Sequence, residues 1–151
     1  MKKMEKFEPL TFQRILLTVD PDDSKSTQRA FRYAVTMAIK FKASLGICSV
    51  LENNDINIYD SLTPSKIEAK RDQLREVVGG YADCASKAGV EDVTPIISVG
   101  GSIDDEILDS IAPKFKADLL ICGADATGEH GNRSISVKLV KKSKISTIII
   151  R

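Results

Sequence analysis

The sequence predicts a single α/β domain: an open, doubly wound, five-stranded parallel sheet with helices on both faces. Two observations carry this. Short aliphatic runs alternate along the chain with longer segments of helical periodicity, and most of those runs are apolar throughout, as strands covered on both faces must be. Right-handed crossovers then wind such a βα alternation into one open sheet. A third observation bounds the size: 151 residues, 42% hydrophobic and 28% charged, are the length and composition of one ordinary globular domain.

The first twelve residues (MKKMEKFEPLTF) read as a polar, flexible extension, and residues 13–151 as the domain. The extension lacks the apolar stretch of a secretory signal, and no run approaches a membrane span. The strand candidates are Arg14–Asp20, Ser44–Leu51, Val93–Val99, Asp118–Cys122 and Ile145–Ile150. Pro95 cannot donate to a ladder, so the third strand belongs at an edge.

Between the strands, Ala30, Ala34, Met37 and Phe41 form one apolar stripe, and Ile67, Leu74, Val78, Tyr81, Ala85 and Ala88 another. Thr63-Pro64 offers a cap followed by proline at the first helical position, and Gly89 stops the same helix. Ser102-x-x-Asp105 resembles a capping box opening a third helix, whose Ile107, Leu108, Ile111 and Phe115 face inward. A last helix over 134–143 carries Val137 and Leu139/Val140.

Charge and residue inventory exclude whole classes of function. Lys and Arg number 22 against 21 Asp and Glu, so no global field recruits nucleic acid or an acidic membrane. One histidine removes multi-histidine metal sites and leaves little for acid–base catalysis at neutral pH. Cys48, Cys84 and Cys122 are widely spaced, with no Cys-x-x-Cys pair; Cys48 and Cys122 lie within apolar runs and read as small buried hydrophobes. A reducing, cytoplasmic setting is the simplest expectation. The charge is nonetheless uneven: residues 128–151 hold six basic groups against one acid. A solvated helix face with complement to the helix dipole is the plain reading of that surplus.

In an open parallel sheet, ligands bind beyond the carboxyl ends of the strands, where strand order reverses. Asp20 closes the first strand, where a carboxylate suits a ribose or a phosphate-bound Mg²⁺. Asp22, Asp23 or Ser24 caps the following helix. Gly100-Gly101-Ser102 makes a tight turn after the third strand. The fourth strand end, running from Gly123 to Ser136, is a glycine-bearing loop feeding a helix start, the usual way of presenting backbone amides to an anion. Arg133 adds a charge-assisted contact there, whereas Asp125 and Glu129 oppose phosphate. His130 reads as an exposed loop residue, and Gly-x₄-Gly without Lys-Ser/Thr is no Walker A motif.

The ordered set of ILLTVD, GGSIDDEIL, DLLICGAD and a serine-initiated last helix running into a terminal strand resembles the universal stress protein family over residues 12–151. The resemblance implies a Rossmann-like sheet of the adenine nucleotide alpha hydrolase type, a homodimer through the last strands, and, in many members, ATP or AMP with Mg²⁺ in the crevice. Transferred position by position, it implies that Asp20 lies near the adenosine, Val50 beside the adenine and Gly101 in the third turn. In the phosphate loop, Gly-x₂-Gly-x₉-Gly-Ser/Thr in ATP-binding members, Gly123 matches the first glycine and Ser134 the Ser/Thr. Ala126 replaces the second glycine, Arg133 the third, and six residues stand where the family has nine. Either this loop rebuilds an anion site from Arg133, Ser134 and Ser136, or standard ATP binding is lost.

The expectation is therefore a cytoplasmic, homodimeric stress-response binding module with degraded or altered adenine-nucleotide binding, and not an enzyme. Its crevice residues are Asp20, Val50, Gly101, Gly123, Arg133, Ser134, Ile135 and Ser136, with no metal site beyond a nucleotide-bound Mg²⁺ at Asp20. The apolar terminal strand Ile145–Ile150, placed at a sheet edge, asks to be covered or paired. Two rivals are a Mg²⁺-ATP-hydrolysing enzyme and a dimeric scaffold that binds no nucleotide.

Overall fold

In the computed structural model, which describes residues 6–21, 24–52, 64–124 and 135–151, one parallel sheet has strand order β3-β2-β1-β4-β5. The strands are β1 Arg14–Thr18, β2 Ser44–Glu52, β3 Val93–Gly100, β4 Leu119–Gly123 and β5 Ser146–Ile150. The helices are α1 Lys25–Phe41, α2 Pro64–Ala88, α3 over 103–115 and α4 Ile135–Lys142. Pro95 lies in edge strand β3, as its missing N–H requires, and β5 forms the opposite edge.

Alternation along the strands sorts the core into two layers. Ile15, Leu17, Leu45, Ile47, Leu119 and Ile121 pack with α1 and α2. Leu16, Cys48, Val50, Leu120 and Cys122 pack with α3 and α4 on the other face. Burying each large aliphatic chain contributes roughly 1.5–3 kcal/mol, which makes these layers the dominant stabilising element. Cys48 and Cys122 are fully buried, as small hydrophobes, and Cys84 is exposed.

Ser24 caps α1: its Oγ accepts from the Thr27 amide at 3.3 Å and donates to Thr27 Oγ1 at 3.0 Å. Asp22 and Asp23 lie outside the described residues. Pro64 opens α2, and Gly89 follows that helix at φ +119°, the left-handed conformation glycine tolerates best. α3 contains a π turn at Ile107–Ile111, where the Ala112 amide donates to the Ile107 carbonyl. Its physical cause is Pro113, which has no N–H for the Asp109 carbonyl and whose ring would clash with it in a regular helix.

Several local expectations need correction. β1 ends at Thr18, so Asp20 lies two residues beyond it, and Asp118 and Ile145 likewise fall just before β4 and β5. Ala88 is exposed at the frayed end of its stripe. Ser102 is no capping box: its hydroxyl makes no cap bond to a backbone amide and donates instead to Asp105 Oδ2 at 2.9 Å. Val137 and Val140 are about half exposed, because the short α4 turns only Ile135, Ser136 and Leu139 inward.

Candidate functional site

Strand order reverses at β1, which pairs with β2 on one side and β4 on the other, and a cleft opens above that point. The strand ends and the α3/α4 layer contribute to it. From β1 and the turn after it come Thr18, Val19, Asp20 and Pro21, and from β2 come Cys48, Ser49 and Val50; from α3 and α4 come Ile103, Ile107 and Ile135. The cleft encloses only about 30 Å³ and broadens to about 340 Å³ where it meets solvent. Its walls are therefore mostly apolar, with one half-buried carboxylate at the rim, Asp20.

Each wall residue is held by its own element. Val19 continues the β1–β2 ladder by donating to the Cys48 carbonyl at 2.9 Å, which carries Asp20 to the mouth. Val50 belongs to the buried face of β2. Ile103 is the first residue of α3, and one turn later Ile107 begins the π turn. Behind them, Lys142 at the end of α4 donates to the buried Asp104 at 2.6 Å and to Asp105 at 3.2 Å, fastening α4 to α3. Ser102 and Lys142 hold the Asp105 carboxyl below its ordinary range, and the two carboxylates in turn raise the Lys142 ammonium.

Two groups bear on what the cleft can do chemically. Burial, with Cys122 close by, pushes the Cys48 thiol up to about 12. At neutral pH it is protonated and no nucleophile. Ser49 is 3% exposed, and its Oγ finds no hydrogen-bond partner among the described residues. A buried hydroxyl in that condition favours a bound polar atom, from ligand or water, over an empty neighbour. Among the described residues no three His, Cys, Asp or Glu side chains converge to hold a metal ion.

Of the residues singled out from sequence, Asp20, Val50 and Ile135 meet in the cleft. Ser136 is buried just behind it, and its hydroxyl donates to the Ala124 carbonyl at 3.5 Å. Gly101 is exposed, with open space where a Cβ would stand. Gly123 faces α1: a Cβ there would lie 2.6–2.8 Å from Ser26 and the Thr27 amide nitrogen, so glycine is needed for strand–helix packing. Arg133, Ser134, His130 and the 53–63 stretch lie outside the described residues. The sequence reading missed Ile103 as a wall, although an apolar residue directly after the serine that precedes α3 was the available signal.

The model of the universal stress protein family matches residues 11–151. The chain belongs to that family. A putative universal stress protein of Staphylococcus haemolyticus is 27% identical over 145 residues, covering 94% of this chain and 86% of the relative. Among solved structures, universal stress protein UspA from Lactobacillus plantarum superposes with a TM-score of 0.78 at 22% identity, covering 95% of this chain and all of that one. A universal stress protein from Archaeoglobus fulgidus in complex with dAMP superposes at 0.67 and 17% identity, covering 94% and 100% of the two chains. A universal stress protein in complex with cAMP gives 0.67 at 22% identity over 94% and 98%. At these identities the structural likenesses establish the fold, a five-stranded α/β sheet of the UspA type.

Proposed function

We propose that this universal stress protein is a cytoplasmic binding module that takes an adenine nucleotide, AMP or ATP, reversibly in the cleft beyond β1. The observation that carries this reading is the cleft itself: an apolar slot of Val50, Ile103, Ile107 and Ile135 at the strand-order reversal, with the Asp20 carboxylate at its mouth. Flat apolar walls suit the faces of a purine, and a carboxylate accepts from ribose hydroxyls. Solved relatives hold cAMP and dAMP, which share the adenosine-type moiety this slot would take.

The described residues that line the cleft include no cation. Phosphate recognition therefore falls to the α4 start, at Ile135 and Ser136, together with Arg133 and Ser134 just before it. Any Mg²⁺ would arrive with the nucleotide and lean on Asp20. A protonated Cys48 and a single carboxylate among the described lining residues favour binding over catalysis.

Calorimetric titration tests this. AMP or ATP is expected to bind with one-to-one stoichiometry, and Asp20→Asn to weaken it about tenfold through loss of charge-assisted hydrogen bonds. No heat from AMP, ADP or ATP at millimolar concentration would instead identify a scaffold that binds no nucleotide.

The same reading makes the protein a homodimer through β5. That strand is an edge whose Thr147, Ile148, Ile149 and Ile150 are only half-buried, and the neighbouring α4 leaves Val137 and Val140 about half exposed. Sedimentation at micromolar concentration is expected to give a dimer that Ile149→Lys converts to monomer. A wild-type monomer would refute it.

A further inference from the structure

A second concavity lies at the opposite end of the sheet, between α3 and the turn from α4 into β5, with about 350 Å³ of space. Its origin is local. The π turn and Pro113 widen α3 there, and the small Ala112 and Ala117 leave the floor hollow between Leu108 and Ile145. Lys116 and Lys144 stand at its walls and form no ion pair among the described residues, while Lys142 is held by Asp104 and Asp105. One carboxylate, Asp109, shares the lining. Within the lining, Lys116 and Lys144 outnumber the one carboxylate, Asp109, beside an apolar floor.

We propose that this groove binds a small amphiphilic monoanion, a single short alkyl chain ending in a carboxylate. The volume is that of a small-molecule site, and the apolar floor takes a chain. Lys116 and Lys144 donate to one anionic head. This inference is independent of nucleotide binding: the groove shares no lining residue with the cleft beyond β1.

Octanoate, titrated against isotope-labelled full-length protein by amide NMR, tests it, with octan-1-ol as the uncharged control. Saturable shifts confined to residues 108–117 and 142–145 are expected, with octanol at least about tenfold weaker. A Lys116→Gly/Lys144→Gln double substitution should weaken octanoate about tenfold while leaving octanol unchanged. Lys116 has φ +59°, so glycine relieves the backbone there, and Lys144→Gln alone provides a second folded variant. Equal affinity for octanol, shifts centred elsewhere, no saturable binding, or unaltered octanoate affinity in the variants would each overturn the proposal.

Discussion

At the amino end of the sheet, α1 reaches β2 through two residues, 42–43, and α3 reaches β4 through three, 116–118. At the carboxyl end, eleven residues separate β2 from α2 and eleven separate β4 from α4. The short amino-end turns are stapled. Lys42 and Lys116 both take the left-handed conformation that closes a helix, and the Asp118 carboxylate accepts from the Gln13 and Arg14 amides at 2.8 and 2.9 Å. Arg14 donates to the Phe115 carbonyl at 2.6 Å and lies over the Phe115 ring at 4.2 Å. Of the carboxyl-end connections, only β3–α3 is comparably tight, and there Glu106 folds back to accept from Ser98 at 2.5 Å. The difference teaches a division of labour: one end fixes the fold, and the other has the chain length that the proposed binding site draws on.

The largest expected effect breaks the division deliberately. Gly123 belongs to the carboxyl end yet packs directly on the backbone of α1. Gly123→Val should destabilise the protein by about 3 kcal/mol or more, because backbone atoms of Ser26 and Thr27 have nowhere to move. Urea unfolding reads this directly.

Alkaline titration probes the layer beneath the cleft. Burial pushes both the Cys48 and Cys122 thiols up to about 12, from an ordinary value of 9.0. Their contribution to stability is complete below pH 9, where folded and unfolded chains both keep the protons. Above it the unfolded chain loses them first, so stability falls as pH rises toward 12. By pH 10 the loss should be about 2 to 3 kcal/mol for the pair. A Cys48→Ala/Cys122→Ala variant, less stable at pH 7, should show that much less alkaline dependence in the same unfolding series.

Asp118→Ala isolates the amino end. Losing two amide-to-carboxylate bonds should cost about 1.5 kcal/mol in thermal or urea unfolding, with nucleotide affinity of the folded protein unchanged. A change in affinity would mean the two ends are coupled.

Much of this division was legible in the sequence, for physical reasons. Continuous aliphatic runs such as Leu119–Cys122 can only be strands buried on both faces, so the βα alternation and its switch point followed. Asp20 could be placed at the cleft from its position at the strand end, and Val50 from the family resemblance. What escaped depends on contacts between distant residues. Gly123 looked like a loop glycine, but its constraint comes from Ser26 and Thr27, nearly a hundred positions earlier. Val137 and Val140 matched an inward stripe, yet a helix of only eight residues has one buried turn to offer. The hydroxyl of Ser102 chose Asp105 over a backbone amide, a preference that spacing does not encode. The basic surplus near the C-terminus resolved in part into Lys142 fastening α4 to α3, and Lys144 lining the basal groove.

The most direct test of the central claim is an amide NMR titration of the labelled protein with AMP. Binding at the carboxyl end predicts shifts centred on 18–20, 48–50, 101–107 and 135–136, with 113–118 and 142–145 silent, and their loss in Asp20→Asn. Shifts centred on the amino-end turns, or none at millimolar AMP, would contradict it.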